Sequence, residues 1–132
     1  PRCVCSNSSN HRLQISLTGT ALLDRFRPYV YSAIEVGTKE PKPSPNVYLH
    51  AIKEFGVEPR DVLVIEDSVT GVTAAVAAGI RVVGLCAGSH VRGGHDDRLR
   101  AAGADVICRS FAEIQQLLSQ DAAVFSPSPS LP

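Results

Sequence analysis

Two adjacent carboxylates, Glu66 and Asp67, directly follow the apolar run Val62–Ile65. That run is typical of a strand in a parallel sheet, and such sheets bind ligands beyond the carboxyl ends of their strands. Neighbouring carboxylates repel each other, which a protein tolerates most easily where a divalent cation binds. A simpler alternative is that Asp67 or Ser68 caps the next helix, and the pair by itself does not decide between the two.

A second polar cluster, residues 6–10, follows the short apolar run Cys3–Cys5 and precedes a predicted helix. Hydroxyls and free N–H groups at a helix N-terminus form an anion site, because the orphan donors and the helix dipole point there. Capping of the helix is the simpler interpretation of the position alone. Ser6 and Asn7 are therefore candidate anion-binding residues.

Lys42 lies in a loop stiffened by Pro41, Pro43 and Pro45. Because proline fixes the backbone, a single ammonium group in this loop can be aimed at one point. A purely structural role for the loop is an equal alternative. An anion cradle, a fixed ammonium group and a carboxylate pair are more specific together than separately, and they predict part of a phosphoryl-transfer site.

Apolar runs and helical segments alternate between these clusters, which predicts an α/β fold with a three-layer, Rossmann-like parallel sheet. Val62–Ile65 is expected to be buried on both faces of that sheet, and Gly19 is expected to cap the first helix. The predicted strands are Cys3–Cys5, Tyr29–Ser32, Val62–Ile65, Arg81–Cys86 and Asp105–Cys108, and the predicted helices are Ser9–Leu17, Ala21–Phe26, Asn46–Phe55, Val69–Ala78, Arg98–Ala102 and Phe111–Leu118.

Composition argues against several classes of function. The 132 residues carry 13 basic and 13 acidic side chains, so no nucleic-acid partner is expected. No apolar stretch is long enough for a membrane span. The four cysteines form no Cys-x-x-Cys pair and are expected to be small buried residues of a reduced, cytoplasmic protein, with zinc or disulfide roles as alternatives. Residues 1–120 are predicted to form one domain, and the Ser/Pro-rich residues 121–132 a disordered tail.

Three segments resemble motifs of the haloacid dehalogenase (HAD) superfamily, in the order and spacing typical of it. Cys3–Asn7 resembles the second motif, Lys42–Tyr48 the third-motif region and Val62–Val72 the fourth motif. The similarity extends from about residue 3 to residue 118, and it is greatest to the β-phosphoglucomutase and phosphoglycolate phosphatase-like enzymes. The resemblance implies a Mg²⁺-dependent phosphatase or phosphomutase that acts on a small phosphorylated metabolite, such as a sugar phosphate.

The same resemblance implies a role for each candidate residue. Ser6 would hydrogen-bond the transferring phosphoryl group, with the N–H of Asn7 assisting. Lys42 would neutralise negative charge on that group and would be the catalytic lysine. Asp67 would bind Mg²⁺, with Glu66 as a direct or water-mediated ligand.

The sequence also departs from the family pattern. The nucleophile of the family lies in an Asp-x-Asp motif, and no two aspartates of this chain are separated by one residue. Asn46 replaces a common Asp, and Pro41 replaces the usual Gly or Ser before Lys42, which leaves Lys39 as a weaker candidate for the lysine. We therefore expect an incomplete core that lacks the first strand and the cap domain, and a chain that is inactive alone.

In the family, the missing strand lies between the strands that correspond to Cys3–Cys5 and Val62–Ile65. Its loss would leave two strand edges unpaired, at a cost of roughly 1–3 kcal/mol per buried amide, against a typical stability of about 5–15 kcal/mol. We expect marginal stability, self-association through these edges, or direct pairing of the two strands. The lack of any methionine also suggests a fragment.

Two other functions remain open on the sequence. One is a non-catalytic remnant that binds phosphate or magnesium and has a partner-binding role. The other is a receiver-like or flavodoxin-like module, which shares the architecture but accounts less well for the Lys-Pro-x-Pro and Glu-Asp-Ser segments.

Overall fold

Strands and helices alternate along the chain in the predicted order. The computed structural model describes residues 1–88 and 93–120. Residues 89–92, in the loop after the fourth strand, and the predicted tail, residues 121–132, lie outside the described residues. The strands are β1 Val4–Ser6, β2 Val30–Ser32, β3 Leu63–Glu66, β4 Arg81–Leu85 and β5 Val106–Cys108. The helices are α1 Asn10–Gly19, α2 Leu23–Phe26, α3 Asn46–Phe55, α4 Val69–Ala77, α5 His95–Ala102 and α6 Phe111–Gln120, with a short 3₁₀ turn at Pro59–Asp61.

Within the described residues, the strands form two parallel sheets. β1 pairs with β2 in one, and β4 lies between β3 and β5 in the other. Direct pairing of β1 with β3, one of the expected outcomes for an incomplete sheet, is therefore wrong. The side chain of Lys42 lies between their carboxyl ends and contacts both, through the carbonyl of Cys5 and the carboxylate of Glu66.

The larger hydrophobic core lies on the sheet face that α3, α4 and α5 cover. Val64 and Val82 from the sheet meet Val47, Val72 and Leu99 from the helices there. A smaller cluster lies on the opposite face and consists of Val83, Leu85, Cys108 and Ile114. Most of the core therefore lies directly beneath the ends of β1 and β3, where it supports the polar residues described below.

The expectation that the third strand is buried on both faces is wrong. Val64 is buried, but Ile65 is 44% exposed. β3 is the edge strand of its sheet, and α6 packs against β5 at the other edge, so no helix of the described residues covers Ile65. In α6, Phe111 is 71% exposed, whereas Ile114 is buried.

Helix ends follow local chemistry closely. Ser9 caps α1 by accepting from the N–H of Arg12, and Gly56 ends α3 in the left-handed conformation, with φ of 63°. The expected cap at Gly19 is wrong, because Gly19 is the last residue of α1 and Thr20 caps it with φ of −97°, which needs no glycine.

None of the helices in residues 1–88 and 93–120 has both the length and the apolar character needed to cross a membrane.

Candidate active site

A buried ion pair joins the carboxyl ends of β1 and β3. The ammonium group of Lys42 donates to the backbone carbonyl of Cys5 at 2.9 Å and forms an ion pair with Oε1 of Glu66. Both side chains are only 9% exposed. Because both charges are largely removed from water, loss of either partner would leave the other charge uncompensated.

The backbone of Lys42 is fixed by the side chain of Asn7. The amide oxygen of Asn7 accepts from the N–H of Lys42 at 2.7 Å, and its amide nitrogen donates to the carbonyl of Lys42 at 3.3 Å. Sequence reasoning assigned Asn7 a role through its own N–H group. The structure adds that its side chain connects the lysine loop to the end of β1.

Tyr48 contacts the ion pair, whereas sequence reasoning placed it only at the end of the third-motif region and gave it no role of its own. Its hydroxyl donates to Oε1 of Glu66, and its ring lies 5.0 Å from the ammonium group of Lys42. Burial, and then the charge of Glu66, raise the pKa of Tyr48 well above its ordinary value. The hydroxyl therefore stays protonated and remains a donor to the carboxylate.

The other side of the Glu66 carboxylate faces the start of α4. Oε2 of Glu66 accepts from the hydroxyl of Ser68 at 3.4 Å, and the same hydroxyl accepts from the N–H of Gly71 at 3.0 Å. A side chain at position 71 would overlap the Glu66 carboxyl group. Glycine at this position therefore lets the helix approach the carboxylate closely.

Asn46 organises the loop that carries Lys42. It is buried, its amide nitrogen donates to the carbonyls of Ala33, Val36 and Glu40, and its amide oxygen accepts from the N–H of Thr38. Three of these four bonds need an N–H donor, which the carboxylate of an Asp lacks. The departure from the family pattern at this position thus has a physical role.

The residues that the sequence predicts to bind an anion lie beside the ion pair, at the end of β1. The hydroxyl of Ser6 accepts from the N–H of Ser8 at 3.1 Å, and Ser6 pairs in register with Ser32 of β2. The hydroxyl of Ser32 is fully buried and has no hydrogen-bond partner among the residues that the structure describes. Two neighbouring hydroxyls therefore occupy the strand ends next to Cys5, whose carbonyl binds Lys42.

Asp67 lies at the solvent-facing edge of the same site. Its side chain is exposed, and its backbone carbonyl is 2.7 Å from Nε2 of His95 at the start of α5. Sequence reasoning gave His95 no part in the site. Among residues 1–88 and 93–120, no group of three or more His, Cys, Asp or Glu side chains could hold a metal ion, so Glu66 and Asp67 can supply only part of a coordination shell.

Lys42, Glu66, Asn7 and Ser6 therefore meet at one edge of the molecule, where the two sheets end. Lys39, the weaker candidate for the lysine, is exposed in the loop, and Lys42 is the lysine that reaches the strand ends. A model of the haloacid dehalogenase-like hydrolases matches residues 1–79, which contain all of these positions. The chain belongs to this family.

Known relatives agree with that assignment. The phosphoglycolate phosphatase of Nitrosococcus oceani is 34% identical over 91% of this chain and 50% of its own length. The structure of a haloacid dehalogenase-like protein from Agrobacterium tumefaciens superposes with a TM-score of 0.86 at 44% identity, over 90% of this chain and 54% of that one. A HAD family hydrolase from Deinococcus radiodurans, solved with bound phosphate and sodium, has a TM-score of 0.81 at 34% identity, over 90% of this chain and 52% of that one.

The chain spans about half the length of these relatives. Its fold is the α/β, Rossmann-type core of the family, and its similarity to phosphatases extends through the ion pair and the start of α4.

Proposed function

We propose that this chain forms part of the catalytic core of a magnesium-dependent phosphatase that acts on a small phosphorylated metabolite. The observation that carries the proposal is the buried ammonium group of Lys42, held at the ends of β1 and β3 beside Ser6. A fixed positive charge at this position stabilises negative charge on a phosphoryl group without needing to reorganise. The kinship with a phosphoglycolate phosphatase supports the choice of hydrolysis over a mutase reaction.

The residues at the end of β1 have separate parts in this proposal. The hydroxyl of Ser6 and the N–H of Asn7 bind phosphoryl oxygens, and the ammonium group of Lys42 offsets their charge. The side chain of Asn7 keeps Lys42 in place through its two bonds to the lysine backbone.

The acidic residues fit a magnesium ion in part. Mg²⁺ is usually bound by one or two protein carboxylates, with water and substrate phosphate completing its shell. Asp67 would hold the ion directly. Oε1 of Glu66 already binds Lys42 and Tyr48, so Glu66 would reach the ion through Oε2 or through water. When bound, the ion would neutralise further charge on the phosphate.

The attacking nucleophile is not among the residues that meet at this site. The Asp-x-Asp motif of the family does not occur in the sequence, so we propose that this chain alone does not turn over a phosphate ester. The substrate-selecting part of the enzyme would likewise come from a segment outside the similarity described here.

The experiment that tests the proposal is hydrolysis of 4-nitrophenyl phosphate with Mg²⁺. It compares the chain alone with the chain mixed with, or fused to, the N-terminal half of the Nitrosococcus oceani phosphatase. We expect activity only in the combined sample. Lys42→Met should lower this activity by about 10²-fold or more, whereas Lys39→Met, the matched control in the same loop, should leave it unchanged.

Equal activity of the Lys42→Met and Lys39→Met samples would rule out the proposed site. Activity of the chain alone would show that the nucleophile lies within it. If every sample is inactive while ³¹P NMR shows phosphate binding that Lys42→Met abolishes, the chain is instead a non-catalytic phosphate-binding remnant, the alternative that the absence of Asp-x-Asp favours.

We propose two further properties of the chain. Among the strands of residues 1–88 and 93–120, β1 and β3 each have an edge without a partner strand, which favours self-association because such edges present free backbone groups to another chain. All four cysteines are free thiols, which fits a reducing compartment such as the cytoplasm.

A further inference from the structure

Cys3, which directly precedes β1, and Cys5, within it, place two sulfur atoms side by side. The two residues are separated by one position, so their side chains point the same way, and the two Sγ atoms are 3.9 Å apart. Both residues are free thiols and are partly buried, next to the main hydrophobic core. The proposed phosphatase chemistry uses neither sulfur.

The two thiols differ in pKa. The hydrogen bond between them lowers the pKa of Cys3, whereas the same bond, followed by burial, raises the pKa of Cys5. Cys3 is therefore the more acidic thiol of the pair. This arrangement suits a reaction in which one thiolate attacks first and the neighbouring thiol follows.

A bridging atom fits this pair better than a direct disulfide. A soft atom bound to both sulfurs would make two bonds of about 2.3 Å, the length of a zinc–thiolate bond. At a wide sulfur–atom–sulfur angle these bonds bridge the 3.9 Å between the two Sγ atoms. Residues two apart in a strand have Cα atoms about 6.6 Å apart, which is close to the upper limit of about 6.8 Å for a disulfide. A disulfide would have to bring the two sulfurs from 3.9 Å to about 2.05 Å, whereas a bridging atom needs a smaller shift.

We propose that Cys3 and Cys5 form a dithiol site for a trivalent arsenical. Within the described residues no third His, Cys, Asp or Glu completes a metal-binding group, so the occupant must need only two protein sulfurs. A monosubstituted arsenical fulfils this condition because it carries its own third substituent. With an arsine oxide, two As–S bonds form, the As–O bond breaks, and the oxygen leaves as water with the two thiol protons. Arsenic stays trivalent, and no oxidant is needed.

The test is a titration of the reduced, full-length chain with phenylarsine oxide, followed by intact-mass spectrometry and a count of remaining thiols. We expect one phenylarsenic group per chain and the loss of two thiols. Cleavage after Arg2 and Arg12 then gives the peptide Cys3–Arg12, which contains both sulfurs, whereas Cys86 and Cys108 fall on two other tryptic peptides. The arsenic should stay on Cys3–Arg12 alone.

Variants give a second readout. Cys3→Ala and Cys5→Ala should each weaken binding by about 10²-fold or more, because the second sulfur no longer closes the ring. The double control Cys86→Ala/Cys108→Ala should bind as tightly as the parent chain. Peptide mapping is done on the parent chain, so it tests the proposal even if a variant does not fold. Arsenic on Cys86 or Cys108, no one-to-one adduct, or full affinity after loss of one sulfur of the pair would overturn the proposal.

Discussion

Glu66 is a buried carboxylate whose partners come from three parts of the chain. Lys42 reaches it from the proline-rich loop, Tyr48 from α3 and Ser68 from the start of α4. A buried charge is stable only if such partners satisfy it, because each lost partner leaves part of its desolvation uncompensated. The stability of the site thus depends on side chains that are distant in sequence.

Tyr48→Phe should lower the free energy of unfolding by about 1–3 kcal/mol, because it removes one hydrogen bond to a buried carboxylate and keeps the ring. Urea unfolding followed by circular dichroism measures the change. Tyr29→Phe is the matched control, since Tyr29 is 43% exposed and packs its ring against Phe55. A Tyr48 variant as stable as the control would mean that the hydroxyl contributes nothing to holding Glu66.

Asn46→Asp should lower the free energy of unfolding by about 2–4 kcal/mol, because a carboxylate cannot donate to the three backbone carbonyls that Asn46 binds and is repelled by them. The same urea experiment measures it. Asn10→Asp is the control, because Asn10 is exposed at the start of α1, where a negative charge is favourable. Similar stability of the two variants would show that the amide of Asn46 does not organise the loop.

At the residue level, the sequence predicts which groups meet but not how they hold one another. The sequence is enough to identify Ser6, Lys42 and Glu66 as candidate site residues. Each lies at a strand end or in a stiff loop, and the topology brings those places together. The contacts that Tyr48 and Asn46 make could not be predicted from the sequence. Their partners are 18 residues away for Tyr48 and between 6 and 13 residues away for the amide nitrogen of Asn46, in segments whose relative placement only the folded chain defines.

Two glycines within helices show how differently elements depend on packing. Gly71→Ala should destabilise the chain by about 1–3 kcal/mol or prevent folding, because the added methyl group overlaps the Glu66 carboxyl group. Gly19→Ala should instead stabilise it by up to about 1 kcal/mol, since the added carbon meets no other described residue within 4 Å beyond its chain neighbours and its own helix backbone. Thermal or urea unfolding of the two variants checks both signs, and equal effects would contradict the close approach of α4.

At the level of elements, α3 was predicted with the bounds that it has, because its apolar stripe and Gly56 both mark them. The burial of β3 was predicted wrongly. An apolar run shows that a strand can be buried on both faces, but what covers each face is decided by elements elsewhere in the chain. For Ile65 no described helix does so.

At the scale of the whole molecule, the part of the chain that the structure describes has both strand edges without a partner strand and exposed apolar side chains. We expect analytical ultracentrifugation to show concentration-dependent association, and we expect Ile65→Lys to shift the chain towards the monomer, because a charge on an edge strand opposes pairing with another chain. Leu49→Lys, on α3 with 47% exposure, is the matched control and should associate as the parent does. A parent chain that stays monomeric at every concentration would contradict this view of its edges.

The burial of Lys42 also has a consequence for chemical labelling. An amine reagent such as acetic anhydride needs an unprotonated, accessible nitrogen, and the nitrogen of Lys42 is enclosed by a carbonyl and a carboxylate. Lys39 and Lys53 are exposed, so they should acetylate quickly while Lys42 is spared. Acetylation of Lys42 would then report each moment at which the ends of β1 and β3 separate, and its rate would measure how often the two sheets come apart in the native chain.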